Sequence, residues 1–210
     1  MSVVTIRGQM GSGAPEVGRL VAARLGAEYV DREIIAQVAA RLQRHEEDIL
    51  EKEMPPGTVL ARITDALAHG QAHGLGIEGA YLPTWQTPVP DARYLQALEA
   101  VMKELAASPA IVICGRGSHF ILRSHPRAFH VRVVAPLPLR VKRIMQDLKL
   151  SEEAARQEIA RYDNSHREFI RRYYRAELED PAYFDLVVNT AHLSFEAAAS
   201  TILCAIPLKG

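Results

Sequence analysis

The sequence predicts an α/β protein built around a parallel β-sheet, and three observations indicate this class. Short runs of β-branched residues alternate along the chain with longer segments of helical periodicity. A glycine-rich loop follows the first of these runs and leads into a helical segment. The run AIVICG, residues 110–115, carries no charge, which is typical of a central parallel strand covered on both faces.

Five segments are predicted to be strands because each is a short apolar or β-branched run. In chain order they are SVVTIRG (2–8), AEYV (27–30), AIVICG (110–115), AFHVRVVAP (128–136) and YFDLVVNT (183–190). Ligands of open α/β sheets bind along the carboxyl edge of the strands. Residues that directly follow these strands are therefore the first candidates for a binding site.

The segments between the strands predict helices. After the first strand, apolar residues recur at helical spacing from Val17 to Leu25, and Gly26 is a natural stop. Ser194 is a favourable first residue for the last helix. The other helical predictions cover residues 32–44, 45–54, 58–70, 91–107, 137–149 and 151–176. Residues 74–90 are rich in glycine and proline and predict a long loop, a feature that is often functional.

The composition excludes several classes of function. The 210 residues include 25 basic and 25 acidic side chains, so the net charge of zero argues against a nucleic-acid-coating protein. No apolar run approaches the roughly 20 residues that cross a membrane, and the first residues lack the features of a signal peptide. We therefore expect a cytoplasmic protein that binds neither nucleic acid nor membranes. Cys114 and Cys204 lie in apolar runs, which predicts two reduced cysteines in the core.

The loop GQMGSGAP begins like a phosphate-binding P-loop but lacks its lysine. Gly8 and Gly13 have the required spacing, yet Ala14 and Pro15 stand where the motif has lysine and a hydroxyl residue. Backbone N–H groups and the positive end of the next helix can still bind phosphate. The predicted phosphate-binding residues are Gly8, Gly11, Ser12, Gly13, Ala14 and Pro15. The alternative is a plain strand-to-helix turn, which glycines also serve.

Several co-ordered motifs resemble the cytidylate kinase-like family of P-loop proteins. TIRGQMGSGAPEVGRLVAARLGAEYVDREII resembles the family's lysine-less glycine loop and the second strand that follows it. VICGRGSHFIL is similar to its GRG segment, HVRVVAPLPLRVKRIM to its fourth strand and lid region, and RYDNSHREFIRRYY with DPAYFDLVVNTAHLSFEAA to its last third. The resemblance covers most of the chain and is weakest from about 54 to 90.

The resemblance implies a P-loop nucleoside monophosphate kinase-like fold. Its five-stranded parallel sheet, flanked by helices, would carry an acceptor lobe near residues 45–95 and a helical lid near residues 136–178, all within one domain of residues 1–210. The implied reaction transfers the γ-phosphoryl group of ATP, with Mg²⁺, to a nucleoside monophosphate, with CMP or dCMP as the first candidates. A homodimer is left open.

Arginines are the candidates to replace the lysine charge. Residues 136–175 hold ten basic and six acidic side chains, and arginine binds phosphate with a planar fork. With the resemblance, we expect phosphate contacts from Arg140, Arg143 and Arg167; the alternative is a solvated face of ion pairs. Arg116 follows an apolar strand between two glycines and matches the family's GR arginine, which is expected near the acceptor. Its alternative role is to cap the sheet.

The acceptor and metal residues are predicted at the second strand and in the last third. Asp31 and Arg32 are expected to orient the acceptor and hold its phosphate, and Asp31 with Ser12 is expected to hold Mg²⁺. The alternative for Asp31 is helix capping. Asp163 matches the aspartate of the family's DxxR motif, which implies contact with the acceptor base or sugar.

The chain also departs from the family pattern. Ala14 replaces a second glycine, Gly117 replaces an aspartate after GR, and His166 stands at the DxxR arginine position. These departures leave two alternatives open. One is a catalytically silent nucleotide-binding or regulatory module. The other is a kinase of a different small-molecule acceptor, whose specificity the segment 74–90 would carry.

Overall fold

The fold is a five-stranded parallel sheet, which confirms the predicted class. The computed structural model describes residues 2–52 and 89–206. The strands run in the spatial order β2-β3-β1-β4-β5. Their bounds are β1 Val3–Gly8, β2 Glu28–Val30, β3 Ile111–Cys114, β4 Ala128–Val134 and β5 Leu186–Asn189. All four neighbouring pairs are parallel, so five carboxyl ends meet at one edge.

Helices connect the strands and cover both faces of the sheet. Their bounds in the described residues are α1 Ala14–Leu25, α2 Glu33–Leu42, α3 Glu46–Glu51, α4 Asp91–Leu105, α5 Ser118–Ile121, α6 Leu137–Leu148, α7 Glu152–Tyr174 and α8 Phe195–Ala205. A short 3₁₀ turn occupies Pro181–Tyr183. As predicted, Ser194 begins α8, and its hydroxyl accepts a hydrogen bond from the Ala197 N–H at 3.1 Å.

The alternation of side chains along β1 divides the core into two layers. Val4 and Ile6 pack in a cluster with α1 and α8 on one face. Val3 packs in the other cluster, together with residues of α2, α4 and the end of α7. A smaller cluster joins α6 to the first half of α7. Helix α1 therefore lies on one side of the glycine loop, and α7 lies on the other side.

Some sequence predictions need correction or lie outside the described residues. Cys114 is buried as expected, but the prediction for Cys204 is wrong, because the helix α8 exposes that side chain. The helix predicted at 58–70 and almost all of the loop predicted at 74–90 lie outside the residues that the structure describes. Within the described part, no helix combines the length and the apolar character that crossing a membrane requires.

Candidate active site

A cleft of about 1080 Å³ opens at the carboxyl edge of the sheet. The glycine loop and the first turn of α1 form one wall, and the residues after β2 and β3 form another. Helices α6 and α7 contribute most of the remaining lining, together with Glu46 and Leu50 of α3 and Phe195 of α8. The cleft therefore lies where the predicted phosphate-binding, acceptor and lid segments converge.

The glycine loop adopts a conformation suited to binding an anion. Gly11 and Gly13 have positive φ angles of 76° and 84°, which turn the backbone sharply before α1. The Ser12 N–H donates to the Gln9 carbonyl at 3.0 Å and closes this turn. Gly13 is the N-terminal cap of α1 and offers no side chain to the helix end. The positive end of α1, with Ala14 and Pro15 at the cleft, is thus open to a phosphate.

The Ser12 side chain does not fit the predicted metal site. The residue is fully buried and its hydroxyl is not part of the cleft lining. The carbonyl of Ser12 accepts a hydrogen bond of 2.7 Å from the Thr190 hydroxyl, which fixes the residue beneath the loop. Asp31 does line the cleft. Mg²⁺ commonly takes one or two carboxylates and completes its shell with waters and substrate phosphates, so of the two predicted ligands it is Asp31 that fits this role.

Arg140 and Asp163 form a clamp behind the loop instead of lining the cleft. The Arg140 Nη1 donates to Asp163 Oδ2 at 2.7 Å and to the Met10 carbonyl at 3.3 Å. The other Asp163 oxygen accepts a hydrogen bond of 3.3 Å from the Met10 N–H. Both polar backbone groups of Met10 are therefore held by one ion pair that joins α6 to α7. This geometry supports a positioning role for both residues.

Arg143 lines the cleft and is anchored at the end of the loop. Its guanidinium donates to the Gly11 carbonyl at 3.1 Å, and to the hydroxyl and carbonyl of Thr190 at 2.9 and 3.1 Å. The same guanidinium lies 5.0 Å from the centre of the Phe195 ring. These contacts hold a positive charge beside the glycine loop.

The opposite wall carries Asp31, Arg32 and Arg116. Arg116 has a positive φ of 58°, a conformation that only a few per cent of non-glycine residues adopt. Burial lowers the pKa of its guanidinium, while the nearby Asp31 carboxylate raises it. The alternative role of Asp31 as the cap of α2 is wrong, because Arg32 is the cap residue and no side chain caps the helix. Instead, the Asp31 N–H donates to the Glu33 carboxylate at 3.0 Å.

Helix α7 brings His166 to the cleft but not Arg167. The His166 Nδ1 lies 2.9 Å from the Tyr162 carbonyl, so Nδ1 carries the proton and donates it. Burial lowers the pKa of His166 to about 3, and the charge of Arg7 adds to this effect. The Arg167 guanidinium donates to Asn164 Oδ1 at 2.6 Å, and Arg167 is not among the residues that line the cleft. A phosphate contact by Arg167 has no support in this arrangement.

Arg7 is the functional candidate that sequence reasoning missed. It lines the cleft at the carboxyl end of β1 and is 6% exposed. Its guanidinium lies 5.9 Å from the centre of the Tyr162 ring. The sequence does contain a signal, because Arg7 is a charged residue directly before Gly8 in a strand that is otherwise uncharged. Cys114 also lines the cleft, and burial raises the pKa of its thiol to about 12.

Sequence comparison finds a family that spans most of the chain. The model of the cytidylate kinase-like family matches residues 3–192. A cytidylate kinase of Sulfolobus acidocaldarius is 43% identical over 75 residues, which are 36% of this chain and 41% of that protein. The chain therefore aligns with less than half of the length of this curated relative.

Solved structures share the fold at low sequence identity. An uncharacterised protein from Eubacterium ventriosum aligns with a TM-score of 0.66 at 14% identity, over 99% of both chains. A shikimate kinase from Bacteroides thetaiotaomicron aligns with a TM-score of 0.51 at 12% identity, over 98% of both chains. The parallel sheet with its flanking helices is the fold of P-loop kinases, as the sequence predicted.

Proposed function

The chain belongs to the cytidylate kinase-like family, and we propose that it transfers the γ-phosphoryl group of ATP to a nucleoside monophosphate, with CMP or dCMP as first candidates. One observation carries this proposal: the open N-terminus of α1 faces a cleft whose other walls present Arg7, Arg116 and Arg143. An anion-binding helix end surrounded by arginines suits phosphoryl transfer, which depends on positioning and on stabilising dispersed negative charge.

In the proposed reaction, an oxygen of the acceptor's phosphate forms a bond to the γ-phosphorus of ATP. The bond between that phosphorus and the β,γ-bridging oxygen breaks, and its electron pair leaves with ADP. The acceptor becomes a nucleoside diphosphate. The chain's own groups bind and orient the two phosphates and neutralise their charge, and the reaction needs no covalent intermediate on the protein.

The donor side is formed by the glycine loop. The backbone of Gly11, Gly13 and Ala14 and the dipole of α1 bind the phosphate chain of ATP. The clamp of Arg140 and Asp163 holds Met10, so the loop keeps its shape when charge builds up in the cleft. Arg143 adds a fixed positive charge next to Gly11.

The acceptor side is formed by the residues after β2 and β3. Arg116 and Arg32 hold the phosphate of the acceptor, because both line the cleft and carry planar, phosphate-binding guanidinium groups. The neutral His166 accepts a hydrogen bond at Nε2 from the acceptor's base or sugar, since its Nδ1 proton is donated to Tyr162. Asp31 would hold Mg²⁺ together with water and phosphate oxygens, and the ion would supply further neutralisation of phosphate charge.

The test is ATP consumption with Mg²⁺ against CMP, dCMP, UMP, AMP and GMP, with Arg116→Gln as the diagnostic variant. We expect turnover with at least one monophosphate and a loss of about 30- to 100-fold in kcat/KM in the variant. Arg123→Gln is the matched control, because Arg123 lies outside the cleft over the Tyr183 ring at 5.0 Å. Absence of turnover with every monophosphate would contradict the proposal.

A second candidate is a nucleotide-binding module without kinase activity. Two features favour it. Ala14 carries no charge, and Arg140 and Arg143 both donate hydrogen bonds to other groups of the protein. This candidate predicts ATP binding by calorimetry without turnover. A kinase with another acceptor predicts ATP consumption with small phosphorylated or hydroxylated metabolites and none with nucleoside monophosphates. The same assay with an extended acceptor panel separates the three outcomes.

A further inference from the structure

Arg7 is a buried cation inside the sheet. Its neighbour Ile6 packs under α1, so the alternation of the strand directs Arg7 to the opposite face, where the Tyr162 ring of α7 lies 5.9 Å from its guanidinium. Only 6% of the residue is exposed. Arginine is almost never buried to this extent unless it is paired.

Among the residues that the structure describes, the buried Arg132 and Arg140 have carboxylate partners, and Arg7 has none. Arg132, which is the register partner of Arg7 on β4, pairs with Glu179, and Arg140 pairs with Asp163 at 2.7 Å. Within residues 2–52 and 89–206, no carboxylate lies within ion-pairing distance of Arg7. Its guanidinium donates to the carbonyl of Gly8, which is neutral. A buried charge that contacts only neutral groups destabilises the folded state.

The positive charge of Arg7 lowers the pKa of neighbouring basic side chains. Burial lowers the pKa of His119 and of His166 to about 3, and in both cases Arg7 is the next contributor. Burial lowers the pKa of Arg132 as well, again with help from Arg7. The electrostatic field around Arg7 is therefore positive, and an anion bound beside Arg7 would be stabilised by it.

Arg7 lies where it can supply the positive charge that the glycine loop lacks. It directly precedes Gly8 and lines the same cleft as the open end of α1. Ala14, where P-loops carry lysine, is 3% exposed and apolar. We propose that Arg7 supplies the missing lysine charge from strand β1 and binds the terminal phosphate of ATP. This inference rests on the proposed use of ATP and adds the residue that replaces the lysine.

The test measures binding of ATP, inorganic tripolyphosphate and CMP by calorimetry to wild type, Arg7→Met and Arg7→Lys. We expect Arg7→Met to weaken ATP and tripolyphosphate binding about 10- to 100-fold, because a charge-assisted hydrogen bond is lost. Arg7→Lys retains the charge and should lose less. CMP binding should change little, since the acceptor wall is intact.

Arg132→Met is the matched control. It removes another buried arginine, 9% exposed, from the adjacent strand position outside the cleft lining. We expect it to lower the thermal midpoint, because it breaks the pair with Glu179, and to leave ATP affinity unchanged. Arg7→Met should leave the thermal midpoint unchanged or raise it, since an uncompensated buried charge disappears.

The outcomes separate this inference from the proposed function. Unchanged ATP affinity in Arg7→Met overturns the inference, and so does a loss confined to CMP. A loss of ATP affinity accompanied by a fall in thermal midpoint as large as that of Arg132→Met shows a structural role and also overturns it. If wild type binds ATP but phosphorylates no acceptor, the proposed kinase function fails, while the ATP titrations still decide the role of Arg7.

Discussion

Gly13 in the glycine loop is restricted both by a positive φ and by a neighbouring ring. A Cβ at this position would lie 2.2 Å from Cε1 of Phe195, and the φ of 84° is unfavourable for any other residue. We expect Gly13→Ala to lower the free energy of unfolding by about 2–4 kcal/mol, because backbone strain and overpacking add. Urea unfolding followed by circular dichroism measures this loss.

Gly26→Ala provides the control for backbone strain alone. Gly26 also has a positive φ, of 60°, but no atom lies within 4 Å of a Cβ placed there. Its substitution should therefore cost only about 1 kcal/mol. Equal losses for the two variants would show that the ring of Phe195 does not restrict the loop.

His119 should make the fold sensitive to acid. Burial lowers its pKa from 6.5 to about 3, with the charges of Arg7, His130 and Arg132 contributing. Because the unfolded chain takes up a proton near pH 6.5 and the folded chain does not, stability is present above that pH and is lost as pH falls towards 3. From pH 7.5 to 5.5, His119 should account for a loss of about 1.4 kcal/mol.

His119→Phe tests this contribution. The ring stacks on Phe184 at 4.8 Å between centroids, a contact that phenylalanine can keep. Urea unfolding at pH 7.5 and 5.5 should give a smaller pH-dependent loss in the variant than in wild type. The exposed His192 provides the control, since His192→Gln should leave the pH dependence unchanged. The same pH-dependent loss in His119→Phe and wild type would contradict the assignment.

At the scale of elements, the ion pair between Arg140 of α6 and Asp163 of α7 holds Met10 of the glycine loop. The side chains of Arg140 and Asp163 are 8% and 19% exposed, so water screens their pair only weakly. Removing one partner leaves a buried charge without its counter-ion. Because both bonds to Met10 depend on this pair, the shape of the loop depends on how the two helices pack.

We expect Asp163→Asn to lower the free energy of unfolding by about 3 kcal/mol. In a double-mutant cycle with Arg140→Met, the combined loss should be about 1–3 kcal/mol smaller than the sum of the single losses. Urea unfolding of the four proteins measures this coupling. Glu104→Gln, which breaks an exposed pair with Arg41, should cost less than about 1 kcal/mol. Additive losses at Arg140 and Asp163 would contradict the clamp.

The sequence predicts single elements better than the contacts between them. Apolar runs identify the strands because buried parallel strands need no polar face; the run AIVICG becomes β3 over Ile111–Cys114. The partner of Arg140 could not be predicted, since Asp163 lies 23 positions away and meets it only through the angle between two helices. The burial of Arg7 could not be predicted for the same reason, because it depends on α7 packing over β1.

At the scale of the whole molecule, the order of the strands creates two walls in one cleft. The central strand β1 continues into the glycine loop, while its neighbour β3 continues into Arg116 and the edge strand β2 into Asp31. In open α/β sheets, ligands bind in such a crevice outside the carboxyl ends of the strands. The donor and the acceptor of the proposed reaction can therefore occupy separate walls, although the protein has no net charge to attract either.

This arrangement predicts that ATP and the acceptor bind at the same time. At about 100 times its Kd, each ligand should stabilise the fold by about 2.7 kcal/mol, which raises the thermal midpoint of a protein of this size by roughly 5–10 °C. A non-hydrolysable ATP analogue and CMP together should give the sum of the two shifts. Arg116→Gln should abolish the shift by CMP and keep that by the analogue. A combined shift no larger than that of the tighter ligand would mean that both compete for one site, and the two-wall arrangement would then be wrong.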